Sequence, residues 1–292
     1  MTRAALLGLM IVFLHIGDLR AEDAEIGKRL KENGAKLTEA KGVVTGVDIP
    51  DCSKWAEADF RQLDQLKGLK SLSFSAGLTE QSLPFLTGLS ELESLQTNLL
   101  QVTDDGIKPL AQMKKLTILK FFHPGKDFTG AGLVHLKDLP HLERLTVAGS
   151  LAFNDDGMAA VAQLPHLKEF RTWHAGPTLE GVKKLKDLKN LTSLTLGQRL
   201  TYQKPACPTD ATVAVVAELK SLESLQLGEA RLTLGALTQL KQLTDLKKLT
   251  LDGIDMPEAD VVRLQKELTK VDVKWSKPNE AYTRRIRALF GE

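Results

Sequence analysis

The sequence predicts an α/β solenoid, with short strands stacked into one parallel concave sheet and helices on the convex side. Three observations predict it. An apolar triplet spaced i, i+3, i+5 recurs along the chain, the copies keep a near-constant period, and a second pattern of helical spacing fills the gaps. Self-similarity at a fixed period marks a repeat architecture and outranks local readings of secondary structure.

The clearest triplets are Leu69-Leu72-Phe74, Leu116-Leu119-Phe121, Leu142-Leu145-Val147, Leu191-Leu194-Leu196, Leu222-Leu225-Leu227 and Leu246-Leu249-Leu251. Leu92-Leu95-Thr97 and Leu167-Phe170-Thr172 are weaker, and Val44-Val47-Ile49 and Leu268-Val271-Val273 stand at the edges. The first residues fall at 44, 69, 92, 116, 142, 167, 191, 222, 246 and 268, a period near 24 over ten copies. Side chains alternate along a strand, so the residues between the apolar anchors face outward.

The segments between triplets carry the second element. Val102-Thr103-Asp104-Asp105-Gly106-Ile107 leads into Leu110, Met113 and Leu116. Phe128-Thr129-Gly130-Ala131-Gly132-Leu133 and Phe153-Asn154-Asp155-Asp156-Gly157-Met158 lead into equivalent runs. Apolar steps of three and four are helical. Thr103, Thr129 and Asn154 stand at N-cap positions, with acids in the first turn of two copies. Neither strand nor helix buries its apolar face alone, so neighbouring repeats must stack.

These residues resemble the leucine-rich-repeat family, and most closely a bacterial, planctomycete-like subgroup with a Val-Thr-Asp-x-Gly-Leu motif before each helix. The opening is similar to that subgroup's amino-terminal cap: Ile26, Leu30, Gly34-Ala35-Lys36-Leu37, then Gly42 to Ile49. The resemblance covers roughly residues 24–274. It implies a right-handed leucine-rich-repeat horseshoe with interaction duties, and it names no partner. One departure stands out. The Asn that ties neighbouring turns in many members is replaced by Leu100, Ser150, Ala175, Ala230 and Ile254, so looser convex turns are expected.

The domain plan follows. Residues 1–21 read as a secretory signal, with Arg3 before an apolar run from Ala4 to Ile16 and small Ala21 at the cut. Residues 22–43 form an N-terminal helical cap, 44–274 the repeats, and 275–292 a C-terminal capping helix. In that helix Asn279 is the cap, and Tyr282, Ile286, Leu289 and Phe290 close the open end of the core. The apolar run is too short for a spanning helix, which needs about 20 residues, so no membrane span is expected after cleavage.

Composition narrows the function. The formal charge is +2, from 39 basic and 37 acidic residues, and the basic residues are dispersed. A nucleic-acid binder usually shows a basic excess or stripe, so none is expected as partner. No phosphate loop, zinc-protease helix, nucleophile elbow or calcium loop occurs, so neither catalysis nor a cofactor is implied. His141 and His166 stack in equivalent Pro-His-Leu steps, but a metal needs three or four ligands and no third is evident. Cys52 and Cys207 lie six strand spacings apart, about 29 Å. A disulfide needs Cα atoms within about 7 Å, so the two stay free, with Cys207 exposed in its insertion.

The binding surface is read from the outward strand positions. Most units fill them with Ser, Thr and Gly. Three consecutive units instead carry Ile118, Lys120 and Phe122, then Arg144, Thr146 and Ala148, then Glu169, Arg171 and Trp173. Phe122 and Trp173 are expected to flank a slot roughly 10 Å wide over Ala148. Glu169 is expected to hold Arg144, and His123 and His174 to sit at the rim. The insertion Gln198 to Pro208, with Tyr202, Lys204, Pro205 and Cys207, is expected as a wall beside the slot. The partner-binding set is therefore Lys120, Phe122, Arg144, Glu169, Arg171 and Trp173. It suits a protein or peptide with acidic chemistry. The expected function is an exported (periplasmic or secreted), non-catalytic recognition module. The alternatives are a cell-envelope scaffold or, without export, an intracellular adaptor of the ubiquitin-ligase substrate-receptor type.

Overall fold

A computed structural model describes residues 23–199 and 204–290. The expected signal segment and Tyr202 lie outside the described residues. Helix α1 (23–32) leads into an antiparallel hairpin of β1 (Lys36–Ala40) and β2 (Val43–Ile49). Its turn residues Lys41 and Gly42 both take positive φ, 54° and 77°, the turn that matches the twist of paired strands. The sequence reading assigns residues 22–43 to a helical cap and starts the repeat strands at Val44, so it anticipates β2 and misses β1. Strand β1 escapes it because the strand is almost wholly exposed and carries no apolar alternation.

The repeats supply β3 (Ser71–Phe74), β4 (Ser94–Asn98), β5 (Ile118–Phe122), β6 (Arg144–Ala148), β7 (Glu169–Trp173), β8 (Ser193–Leu196), β9 (Ser224–Gly228), β10 (Lys248–Asp252) and β11 (Asp272–Trp275). All eleven strands join one open sheet in chain order, parallel from β2 onward. Equivalent positions pair from β2 to β10, so Leu119, Leu145, Phe170, Leu194, Leu225 and Leu249 form one buried rank; at β11 Leu249 pairs with Val273 rather than Val271, two residues beyond the register that the last triplet predicts. This is the α/β leucine-rich-repeat solenoid that the period predicts.

The convex elements are only partly α-helical. α2 (Glu57–Leu63), α3 (Asp155–Val161), α4 (Leu179–Lys184), α5 (Asp210–Val216), α6 (Leu234–Leu237) and α7 (Glu258–Glu267) are α. The units at Leu83–Leu86, Asp105–Gln112 and Ala131–Leu136 are 3₁₀ helices. Two of these 3₁₀ units carry a proline, Pro84 at the start of one and Pro109 inside the other.

The convex turns are not left untied by the missing Asn. Leu100, Ser150, Ala175, Ala230 and Ile254 are buried, and backbone bonds such as Gln101 N–H to Leu78 O link successive turns. A side-chain ladder runs alongside. Glu80 accepts from the N–H and hydroxyl of Thr103 in the next repeat. Asp104 accepts from the hydroxyl of Thr129 at 2.6 Å and from the N–H groups of Gly130 and Gly132. Asp155 and Asp210 do the same for Thr178 and Thr233. Each acid thus ties the helix start of the following repeat. The motif glycine belongs to this packing: a Cβ on Gly132 would lie 2.0 Å from the Asp104 carbonyl oxygen.

Helix α8 (Glu280–Phe290) starts where the side chain of Asn279 accepts from Tyr282 N–H at 2.9 Å, and it buries Ile286 and Leu289. Its contacts put it elsewhere than over the open end of the core. The Arg231 guanidinium, in the turn after β9, lies 5.3 Å from the Phe290 ring. Tyr282 reaches a cavity that it shares with Trp173 of β7 and Asp252 of β10. The helix therefore lies beside the carboxyl ends of the strands.

Candidate binding surface

Register brings the sequence-predicted residues together. Phe122, Ala148 and Trp173 pair across β5, β6 and β7, and so do Lys120, Thr146 and Arg171. The slot expected between the rings is closed. Their centroids are 6.1 Å apart at 54°, and Ala148 beneath them is only 2 % exposed. Ala148 offers no bulk between them, so the rings lean inward and touch. A contact of this geometry adds apolar cohesion beyond simple burial.

The charges are arranged differently from expectation as well. Arg144 and Glu169 are register partners, yet no ion pair joins them. Arg171 instead lays its guanidinium 5.4 Å from the Trp173 ring centroid. Elsewhere the protein pairs such charges, as in Lys70–Glu93, Lys168–Glu143 and Lys247–Glu223. The contrast is sharpest for half-buried cations among the described residues. Lys186 has Glu218, Arg231 has Asp255, and Arg199 donates to the Pro205 carbonyl. Lys120 and Arg171 are equally half-buried and have no carboxylate. With Arg144 they form a basic triangle around buried Thr146.

The rim histidines are held. The residue after β4, β5, β6, β7, β9 and β10 takes a positive φ, and after β5 and β7 it is His123 (φ 47°) and His174 (φ 49°). His123 Nδ1 is 2.9 Å from Asn98 Oδ1. His174 Nε2 is 2.9 Å from Glu229 Oε1. His141 and His166 are exposed, and no group of three or more metal-ligating side chains forms among the described residues.

The insertion is fastened at both ends by Gln198, which is fully buried. Its Oε1 accepts from the N–H groups of Arg199 and Cys207, and its amide donates to Glu229 O. Cys207 is buried rather than exposed, because this clamp draws the returning strand of the insertion into the core. Burial pushes its thiol up to about 11, and that of Cys52 up to about 12. Both cysteines are free.

Beside Trp173 lies a cavity of about 340 Å³ that sequence reasoning did not foresee. Thr195, Gly197, Gln226 and Gly228 floor it, Arg171 and Trp173 form one wall, and Asp252 and Tyr282 the other. Gly197 and Gly228 continue the column of Phe122, Ala148 and Trp173 without side chains. That gap was visible in the strand columns. Tyr282 was not, since it follows the last repeat.

No family model matches the chain, and no curated protein matches it. Solved structures with similarity include an internalin from Listeria monocytogenes, 20 % identical with TM-score 0.47, covering 80 % of this chain and 59 % of its own. A second Listeria monocytogenes internalin is 18 % identical with TM-score 0.43, covering 76 % of this chain and 84 % of its own. A leucine-rich-repeat protein of Leptospira interrogans is 18 % identical with TM-score 0.36, covering 73 % and 68 %. This chain spans 59 % of the first internalin's length.

Proposed function

We propose that this chain is an exported, non-catalytic recognition module of the bacterial repeat subgroup, binding an acidic protein or peptide over β5–β7. The observation that carries the reading is the unpaired state of half-buried Lys120 and Arg171 beside the Phe122–Trp173 pair. Leaving such cations without a carboxylate wastes an attraction the fold uses elsewhere, and a partner's carboxylate completes it. The ring pair supplies apolar anchor area of the kind that dominates interfaces. Export rests on Arg3, the apolar run and Ala21.

The test begins with native protein from the cell envelope, whose mature start by mass spectrometry should fall near Glu22. Its captured partner is then measured against variants. Trp173→Ala should weaken binding by about 2 kcal/mol or more. Lys120→Ala should chiefly slow association and lower its salt sensitivity. Gln226 shares the cavity with Trp173 and cannot serve as the neutral position; exposed Ser71 on β3 can. Equal binding by Trp173→Ala and the parent, or a start at Met1, would refute the corresponding half of the proposal.

A further inference from the structure

Two leucines stand exposed on the rim beside the Phe122–Trp173 pair. Leu99, 48 % exposed, follows β4, and Leu151, 45 % exposed, lies in the turn after β6. The repeat does not require a leucine at either place. Leu99 takes a positive φ of 57°, a position that His123, Gly149, His174, Glu229 and Gly253 fill in other units. A side chain of this bulk is disfavoured in the left-handed region, and here it adds little to the core. The ground between the two leucines is filled. Phe122 registers with Asn98, the residue before Leu99. The His123 ring lies over Gly149, where a Cβ would come within 2.4 Å of it. Beyond β7, a Cβ on Gly176 would lie 2.6 Å from Leu151 O. Leu99, Phe122, His123, Leu151 and Trp173 thus form one strip of leucine and ring surface along the carboxyl ends of β4–β7.

A charged row runs parallel to the strip, two residues nearer the strand starts and about 6.6 Å away. It holds Lys120 and Arg171, with buried Thr146 between them. The row below holds Arg144 and Glu169, register neighbours of opposite sign that offset one another. Lys126 and Asp127, in the turn after β5, pair together. Glu229 is engaged by His174, and Asp252 lies three strands from Arg171, about 14 Å. The row beside the strip is therefore positive, and the strip itself is apolar.

We infer that the partner's docking element is an amphipathic helix laid across β4–β7, its apolar stripe on Leu99, Phe122, Leu151 and Trp173 and an acidic row on Lys120 and Arg171. This rests on the concave-face reading above and names the partner's element. Two parallel rows of unlike chemistry select the helix. A single extended chain alternates its faces, so it turns only one row of side chains to a surface. A helix turns two, because residues three and four apart stand as neighbours about 5–6 Å from one another. That separation matches the distance between the apolar strip and the charged row. The strip crosses three strand spacings, about 14 Å, which is about ten helical residues at 1.5 Å each. Apolar anchors at i, i+4 and i+7 then serve it, as in other helix-in-groove contacts. A flat bilayer fits less well, because Lys120 and Arg171 are half-buried in the floor of the face.

The experiment selects two displayed libraries on the mature parent chain: a three-helix scaffold randomised over one helix face, and unstructured linear peptides of the same length. Scaffold winners should carry Leu, Ile or Phe at i, i+4 and i+7, with Asp or Glu in the adjoining row, and should outcompete the linear peptides. Against purified winners, Leu99→Gly and Leu151→Ser should each weaken binding about tenfold. Lys120→Gln should lower the salt sensitivity of binding. Both leucines are exposed and glycine suits a φ of 57°, so the melting temperatures of these two variants should not fall. If the parent enriches nothing beyond Trp173→Ala, or the winners bind Trp173→Ala equally well, the concave-face reading and this inference fall together. If the winners need Trp173 but tolerate both leucine variants, lack the acidic row or come only from the linear library, this inference alone is overturned. Binding of the parent to phosphatidylglycerol vesicles, lost in the same leucine variants, would overturn it too.

Discussion

Thr97 and Thr172 stand where other strands carry leucine, valine or phenylalanine. Both are buried in the core, and neither hydroxyl finds a hydrogen-bond partner. A buried polar group left unmatched costs about 1–3 kcal/mol, while an apolar group of the same shape carries no such penalty. Thr97→Val and Thr172→Val should each stabilise the protein by about 1 kcal/mol. Urea unfolding should show a higher midpoint with an unchanged slope; a lower midpoint would mean that the hydroxyls are hydrogen-bonded in the folded protein. These positions were legible in the sequence as defective copies of the triplet. What each hydroxyl faces was not legible, because one triplet does not describe the neighbours above and below it.

At the scale of the element, the acid–threonine ladder decides how convex turns are held. The recurring Thr-acid step reads in sequence as a helix cap with a dipole partner for its own helix. Its acceptor role toward the next repeat depends on how closely two helix starts approach, which a single repeat does not encode. Asp104→Ala strips four donors in the following repeat of their acceptor. The loss should resemble that of a helix cap, about 0.5–2 kcal/mol, read as a lower melting temperature. The ladder also responds to acid. Bonds from the Thr103 backbone and side chain hold the Glu80 carboxyl below its ordinary value. A lowered folded-state value means stabilisation that is present above the unfolded Glu value and lost as pH falls through the folded one. Between about pH 5 and 3, Glu80→Gln should therefore lose less of its melting temperature than the parent. A steeper loss in the variant would contradict the ladder.

Across the whole molecule, stability is shared between neighbours rather than gathered in one centre. Leu194 is 1 % exposed and registers with Phe170 on one side and Leu225 on the other. Leu194→Ala should cost roughly 2–5 kcal/mol. Because each repeat touches only its neighbours, amide protection should fall first in β7, β8 and β9 and last in β3 and β4. Uniform loss along the sheet would argue against that division. The stacked core was legible because the period fixes strand and register from β2 to β10; at β11, the edge copy, the register slips by two residues. The period has no hold on chain that precedes or follows it. Strand β1 and the seat of α8 therefore emerge only in three dimensions, and with α8 comes Tyr282, half of one cavity wall.

The two buried thiols have a practical side. With values pushed up to about 12 for Cys52 and about 11 for Cys207, thiolate at pH 8 is on the order of 10⁻⁴ and 10⁻³ of each. An oxidising compartment therefore offers neither a route to mispairing, and maleimide dyes should leave the folded protein blank. A cysteine introduced at Ser193, on the strand beside Trp173, would then be the single labelled position, able to report an arriving ligand against a dark background.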